Sequence, residues 1–270
     1  TPSGNTCIPT RFDDVFFNSY SGTSPVITPA GIVEYHNMTW SGVPGTPTIL
    51  YAGGSAYGSV TLQSNLSGSF SLNFMSTELG KTITTNGAVF GDIFFKGSGE
   101  YILQDNLTAG KISFTNGTLN TNGKTVSASS FSSETSTSQS LILGSSSIYI
   151  TGWDGDNWKY LSNSLDAGTS RIYIKGAATK FTAKDDAVYN AVIFDTNRNQ
   201  TNYLYGAITT NELTFLATNS TNKIEAGKTI TVNNLLQMSG TNCATTKIQS
   251  TIAGTQAAIC VKAGNRLYNF

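Results

Sequence analysis

The sequence has little charge, little proline and almost no histidine. Its 270 residues include 16 Lys and Arg, 16 Asp and Glu, 6 Pro and 1 His, and the net charge is zero. Because a neutral chain without charged blocks is poorly suited to neutralising phosphates, we expect no nucleic-acid partner. No apolar run approaches the length of about 18 residues that a membrane-spanning helix needs, so we expect no membrane insertion. The single histidine also leaves few groups for acid–base catalysis near neutral pH.

Serine, threonine, asparagine and glycine replace the missing charge. Hydrophobic residues nevertheless make up 39% of the chain and aromatic residues 11%. A disordered chain lacks the apolar area needed to offset its conformational entropy, whereas this sequence has that area. The composition therefore predicts a folded protein with a polar, uncharged surface.

Short runs of alternating apolar and polar residues recur along the chain, which is typical of half-buried strands. Asn-Gly pairs at 86–87, 116–117 and 122–123 supply turns, because both residues tolerate positive φ. Sequence patterns that indicate helices are almost missing, so the fold class is predicted to be all-β. The runs are Ser59–Gln63, Ser69–Phe74, Lys81–Thr84, Lys111–Thr115, Ser147–Thr151, Arg171–Lys175, Glu212–Phe215 and Lys228–Val232.

A turn-plus-strand fragment beginning Gly-Lys returns at Gly80–Thr84, Gly110–Ser113, Gly123–Ser127 and Gly227–Thr231. A sandwich of antiparallel sheets accommodates the strand spacing, but stacked coils also explain why one fragment recurs. We therefore predict a right-handed parallel β-helix, a solenoid whose coils carry Asn, Ser and Thr ladders on their turns. Residues 1–55 are predicted to form an irregular N-terminal cap, since they hold all 6 prolines. Residues 56–270 are predicted to form the coils as one continuous domain.

Several segments along the chain match a known family in their order. They are Phe12–Ser21, His36–Trp40, Thr46–Leu50, Asn116–Thr125, Leu141–Ile150, Trp153–Asp154, Ala167–Ile172, Cys243, Ile248–Ser250 and Gly254–Ala257. This order resembles β-helix modules of the large surface adhesins of gliding Bacteroidota, which are secreted by the type IX system. That resemblance implies a non-catalytic module at the extracellular cell surface, flanked by other modules of a longer chain. His36 departs from it, because related modules often have Cys there.

Cysteine and aspartate provide the candidates for cross-links and metal sites. The 3 cysteines allow one bridge, for which we consider Cys243 with Cys260, or none at all, and the state of Cys7 is left open. Asp154 and Asp156 carry oxygen ligands of the kind that Ca²⁺ prefers, but they supply too few of them. A solvated turn is the favoured interpretation, and we predict no metal and no organic cofactor.

Function is predicted from the aromatic residues on the expected outer surface. Tyrosine and tryptophan offer flat apolar rings with a polar edge, which suits stacking on sugars. If they share one face, they form a strip that binds glycan, and if they do not, they serve as packing. The candidates are Tyr149, Trp153, Trp158, Tyr160 and Tyr173.

The favoured function is a stiff adhesin segment that makes weak, multivalent contacts with a glycan or an abiotic surface. The outward rows for such contacts are expected at Ser113, Tyr149, Tyr173 and Thr214. The alternative is a polysaccharide-degrading β-helix enzyme, a lyase or glycoside hydrolase, with Asp185, Asp186 and Asp195 as its candidate carboxylates. A lone histidine such as His36 is interpreted as a packing or surface residue.

Overall fold

A computed structural model gives the fold of most of the chain. It describes residues 8–28, 32–50, 52–68, 70–133, 138–153, 155–162, 164–196, 199–240, 243–262 and 266–269. Cys7 and Asp154, two of the residues singled out in the sequence, lie outside these ranges.

The described residues form 28 strands and no helix, which confirms the all-β prediction. The first strands are β1 (Val15–Phe17), β2 (Val26–Ile27), β3 (Glu34–Tyr35), β4 (Met38–Trp40), β5 (Thr48–Ile49), β6 (Ala52–Ala56), β7 (Val60–Thr61), β8 (Ser71–Phe74), β9 (Lys81–Thr84) and β10 (Ile93–Phe95). The middle strands are β11 (Glu100–Leu103), β12 (Leu107–Phe114), β13 (Gly117–Asn120), β14 (Val126–Ser133), β15 (Gln139–Ile142), β16 (Ser147–Ile150), β17 (Gly155–Tyr160), β18 (Ser164–Asp166) and β19 (Arg171–Ile174). The last strands are β20 (Thr179–Ala183), β21 (Val188–Phe194), β22 (Thr201–Tyr205), β23 (Thr209–Phe215), β24 (Thr221–Ile224), β25 (Thr229–Met238), β26 (Lys247–Ser250), β27 (Ala258–Val261) and β28 (Arg266–Asn269).

Strands pair in parallel with their counterparts in the next coil, so the chain winds into a β-solenoid of about ten turns. The parallel solenoid is therefore confirmed over the antiparallel sandwich, while its handedness stays a prediction. Three faces organise the strands. The first face runs through β1, β4, β7, β9, β11, β13, β15 and β18. The second face runs from β3 through β6, β8, β10 and the later halves of β12 and β14 to β17, β20, β22, β24 and β26. The third face runs through the first halves of β12 and β14 to β16, β19, β21, β23, β25 and β28.

Parallel pairing already begins near the N-terminus. Strand β1 pairs with β4, and β3 pairs with β6 across the boundary predicted at residue 55. Pro25 and Pro47 come just before strands β2 and β5, where no ladder N–H is required of them. The proline-rich region therefore contains coils that pair in the same way as those that follow.

Apolar side chains from successive coils stack in columns inside the solenoid. One column on the third face joins Leu107, Val126, Ile148, Ile172, Val192, Leu213 and Leu236 through direct register pairs. On the second face Trp158 stacks between Phe131 and Phe181, with ring centroids 4.9 and 6.0 Å apart. All the inward residues expected from strand alternation are buried, namely Ile112, Phe114, Ile148, Ile150, Ile172, Ile174, Leu213 and Phe215.

Polar ladders also connect the coils, but these lie within strands, whereas the sequence predicted them on the turns. Inside, Asn202 donates to the Oδ1 of Asn222 over 2.9 Å and accepts from the Thr179 hydroxyl over 3.2 Å. A second ladder, closer to solvent, joins Asn190, Asn211 and Asn233 by bonds of 3.2 and 3.1 Å. These bonds run from one coil to the next, which requires the coils to stay in register.

Candidate functional site

The third face presents a stacked pair of tyrosines to solvent. Tyr149 in β16 and Tyr173 in β19 are direct register partners, and their rings stack at 4.8 Å with an interplanar angle of 13°. Each lies between two inward isoleucines, so strand alternation turns both rings outward. The two phenol rings form a half-buried aromatic platform, which we call the tyrosine platform.

Arg171 fixes one end of the tyrosine platform. Its Nε donates to the hydroxyl of Tyr173 over 3.0 Å, and its Nη2 donates to Oε1 of Glu212 over 2.8 Å. Burial lowers the pKa of Arg171, but its hydrogen bonds to Glu212 and Tyr173 outweigh that effect and raise the pKa above the usual value. The guanidinium therefore stays charged and holds the Tyr173 hydroxyl in a fixed position.

Lys175 makes corresponding contacts at the Tyr149 ring. Its Nζ lies 5.5 Å from the centroid of the Tyr149 ring and 3.1 Å from Oδ2 of Asp195. Arg171 and Lys175 thus each contact a tyrosine ring and pair with a carboxylate. The result is an electrically balanced surface with flat rings at its centre and hydrogen-bonding groups at its edge.

Two members of the predicted aromatic strip lie elsewhere. Trp158 and Tyr160 are both 0% exposed and point into the core, so assigning them to a binding strip was wrong. They share the inward side of β17 because Trp158 is in register with Phe131 and Phe181, two core residues. Trp153 is 78% exposed in the segment between β16 and β17.

Thr214 was also expected to form part of an outward contact row, yet it is only 2% exposed. Its hydroxyl donates to Oε1 of Glu212, the same oxygen that Arg171 binds. Thr214 therefore supports the charged pair beneath the surface and does not belong to the contact row.

The charged partners of the tyrosine platform were not recognised in the sequence. Arg171 and Lys175 flank Tyr173 at two-residue spacing, which was a usable signal because such residues share a strand face. Glu212 lies 41 residues from Arg171 and comes close only through the pairing of successive coils. No local pattern identifies it.

Two of the three carboxylates considered for catalysis, Asp185 and Asp195, are engaged in separate ion pairs. Asp185 Oδ2 lies 2.6 Å from Lys228 Nζ, and Oδ1 of the same residue accepts the Ala207 N–H over 2.8 Å. The hydrogen bond from Lys228, aided by that from Ala207, lowers the Asp185 pKa. Asp195 pairs with Lys175 on the third face, and Asp186 adopts a turn conformation with φ of 65°.

The structure also bears on the disulfide considered between Cys243 and Cys260 and on the calcium ligands considered around Asp156. Cys243 and Cys260 are free and exposed, so no bridge joins them in the structure. Asp156 accepts a long hydrogen bond of 3.5 Å from the Thr182 hydroxyl. Across the described ranges, no three His, Cys, Asp or Glu side chains cluster as metal ligands.

His36 is half-buried near the surface, with Nδ1 3.1 Å from Oδ1 of Asp14.

Comparisons with protein-family models, with curated proteins and with solved structures find no match for this chain. The part of the chain that the structure describes contains no helix that is long and apolar enough to cross a membrane.

Proposed function

We propose that the chain is a non-catalytic, carbohydrate-binding segment of a β-solenoid adhesin, and that the tyrosine platform is its contact surface. The observation that carries this proposal is the stacked Tyr149–Tyr173 pair, held on the outside of the solenoid by Arg171 and Lys175. A sugar ring has an apolar face and a hydroxyl rim, which match an aromatic ring bordered by charged hydrogen-bonding groups.

The balance of charge favours a neutral glycan at this surface. Arg171 pairs with Glu212 and Lys175 pairs with Asp195, so neither sign of charge is in excess. Glycoside hydrolysis uses a facing pair of carboxyl groups, one of which is held protonated by a raised pKa. The Asp185 pKa is shifted in the opposite direction.

A single platform of two rings binds weakly, so affinity in this proposal comes from repetition. Linked copies on one long chain raise the effective concentration of each site for a polymeric ligand. The proposal therefore includes a location at the extracellular cell surface and neighbouring modules in the same chain. It also keeps the assignment to type IX-secreted adhesins of gliding Bacteroidota, which rests on the sequence resemblance alone.

The test is binding of the purified chain, immobilised at high density, to a panel of neutral polysaccharides that includes xyloglucan, laminarin and dextran. We expect binding to at least one of them and its loss in the Tyr149→Ala/Tyr173→Ala variant. Tyr20→Ala serves as the control, because Tyr20 is 93% exposed and lies in a turn after β1. Equal binding by the two variants would contradict the assignment of the platform.

The same incubations separate binding from cleavage. Reducing ends and unsaturated products are measured over time, and we expect neither to accumulate. Turnover that disappears in Asp185→Asn would replace the adhesin proposal with the polysaccharide-degrading enzyme.

A further inference from the structure

The second face carries another outward tyrosine pair, on a single strand. Tyr203 and Tyr205 lie two residues apart in β22, and their rings are 6.1 Å apart and nearly parallel, at 6°. The residues between and before them, Leu204 and Asn202, are buried. Both rings are therefore directed outward and only half-buried, on a different side of the solenoid from the tyrosine platform.

Lysines surround this pair on the neighbouring coils. Lys180 in β20 and Lys223 in β24 are the register partners of Tyr203 on its two sides, and Lys223 Nζ lies 5.7 Å from the Tyr203 ring centroid. Parallel strands are spaced about 4.8 Å apart, so Tyr203 lies one rung from each of these two lysines. One more outward lysine extends the set, Lys247 in β26.

The charge here is not balanced as it is on the third face. Among the described residues, no carboxylate lies within 4.0 Å of the Lys180, Lys223 or Lys247 ammonium group. Asp156 and Glu225 are the nearby acids in the same rows, and they oppose three lysines, Lys180, Lys223 and Lys247. The carboxylate of Glu225 accepts the N–H of Gly206 over 2.8 Å, which ties part of its charge to the backbone.

We propose that this lysine–tyrosine strip (Lys180, Tyr203, Tyr205, Lys223 and Lys247) binds an acidic polysaccharide, one that carries uronate or sulfate groups. Each half of such a ligand has a counterpart, since a sugar ring stacks on tyrosine while its anionic group meets an unpaired ammonium group. The strip differs from the tyrosine platform in face, in residues and in charge, so this proposal stands independently of the first.

A polyanion of another kind is the main competitor. Single-stranded nucleic acid also stacks on aromatic rings and follows cationic grooves. It carries a charge on every nucleotide, however, and the net charge of this chain is zero. A strip of few cations interrupted by two carboxylates suits a polymer with more widely spaced anionic groups.

The experiment measures binding of the purified chain to polygalacturonate, dextran sulfate, neutral dextran and oligo(dT) at low and high salt. We expect the uronate or sulfate polymer to bind more tightly than neutral dextran and oligo(dT). This binding should weaken as the screening length falls from about 10 Å at 0.1 M to about 3 Å at 1 M salt. Tighter binding of oligo(dT), or equal binding of neutral dextran, would overturn the proposal.

Variants assign the binding to the strip. We expect Lys180→Gln/Lys223→Gln to lower the affinity about tenfold, equivalent to ~1.4 kcal/mol, and Tyr203→Ala to lower it as well. Lys124→Gln, at a turn after β13, removes one lysine charge outside the strip and is compared with Lys223→Gln alone, and thermal unfolding checks that each variant is folded. An equal loss in Lys124→Gln would show general charge attraction and refute the strip. Tyr149→Ala/Tyr173→Ala should still bind the acidic polymer. A negative result for the lysine–tyrosine strip is therefore distinguishable from a negative result for the tyrosine platform.

Discussion

Aromatic residues stack from coil to coil both inside and outside this solenoid, and the two stacks have opposite roles. Inside, Trp158 lies between Phe131 and Phe181 and is fully buried. Outside, Tyr149 and Tyr173 stack through the same kind of register pair but keep part of their rings in water. Parallel register produces both stacks. Only the side of the strand on which a residue falls decides whether its ring stabilises the fold or is available to a partner.

The comparison is tested most severely by removing one ring from each stack. Trp158→Ala should lower the free energy of unfolding by about 3–5 kcal/mol, since it leaves a large cavity between two rings. Tyr173→Ala should cost much less, because its ring already contacts water. Denaturant unfolding of both variants measures the difference, and similar losses would contradict the division into an inner and an outer stack.

The two asparagine ladders allow the same comparison for polar groups. Asn202→Ala leaves the Thr179 hydroxyl and the Asn222 amide without their partner inside the solenoid, where each unpaired group costs about 1–3 kcal/mol. Asn211→Ala, in the ladder nearer to solvent, should cost less because water replaces the lost bonds. A larger loss in Asn211→Ala, measured by denaturant unfolding, would mean that the outer ladder carries more of the stability.

Alkaline pH should act on the inner tyrosines. Burial raises the pKa of Tyr101 and of Tyr189 far above the usual value. A group with a raised pKa in the folded state contributes stability below the pKa of the unfolded chain, about 10 for tyrosine, and loses it as the pH rises further. We expect the free energy of unfolding to fall above that pH, and we expect its slope against pH to be smaller in Tyr189→Phe. An unchanged slope in this variant, followed by circular dichroism, would contradict the role of burial.

The smallest effect is expected at the outer ion pair of Asp185 and Lys228. Because Lys228 lowers the pKa of Asp185, the pair stabilises the fold above the pKa of an unfolded aspartate and loses that contribution as the pH falls. Both side chains are substantially exposed, so the gain is limited by solvent screening. We expect Asp185→Asn to lower the melting temperature slightly at pH 7 and by less at pH 3. A large loss at both values would indicate a packing role.

Strand alternation was enough to predict the inner and outer residues of Ser147–Thr151 and Arg171–Lys175, and hence the outward direction of Tyr149 and Tyr173. It could not orient β17. Trp158 and Tyr160 share one side of that strand, but only their register with the core residues Phe131 and Phe181 shows that this side faces inward. A register irregularity between Asp156 and Trp158, which leaves both Asn157 and Trp158 buried, further disrupts the local pattern.

For a similar reason, the sequence could not identify which side chains from different coils contact each other. The contact of Arg171 with Glu212 depends on the exact lengths of the coils between them, and those lengths are irregular along the chain. The recurring Gly-Lys fragments indicated stacking but did not fix which residues meet. Composition, in contrast, predicted that asparagine ladders occur, because side chains that bond to their equivalents in the next coil need only the repetition of the coils. It placed them on the turns, however, and these ladders lie within strands.

Tyrosine nitration tests the central claim most directly, namely that the outer stack is the contact surface for carbohydrate. Each tyrosine of the native chain is followed by mass spectrometry with and without the neutral polysaccharide that binds most tightly. We predict that the polysaccharide slows nitration of Tyr149 and Tyr173 and leaves the nitration rate of the exposed Tyr20 unchanged. The buried Tyr189 should resist the reagent with and without the polysaccharide. Protection of Tyr20 without protection of Tyr149 and Tyr173 would contradict the account.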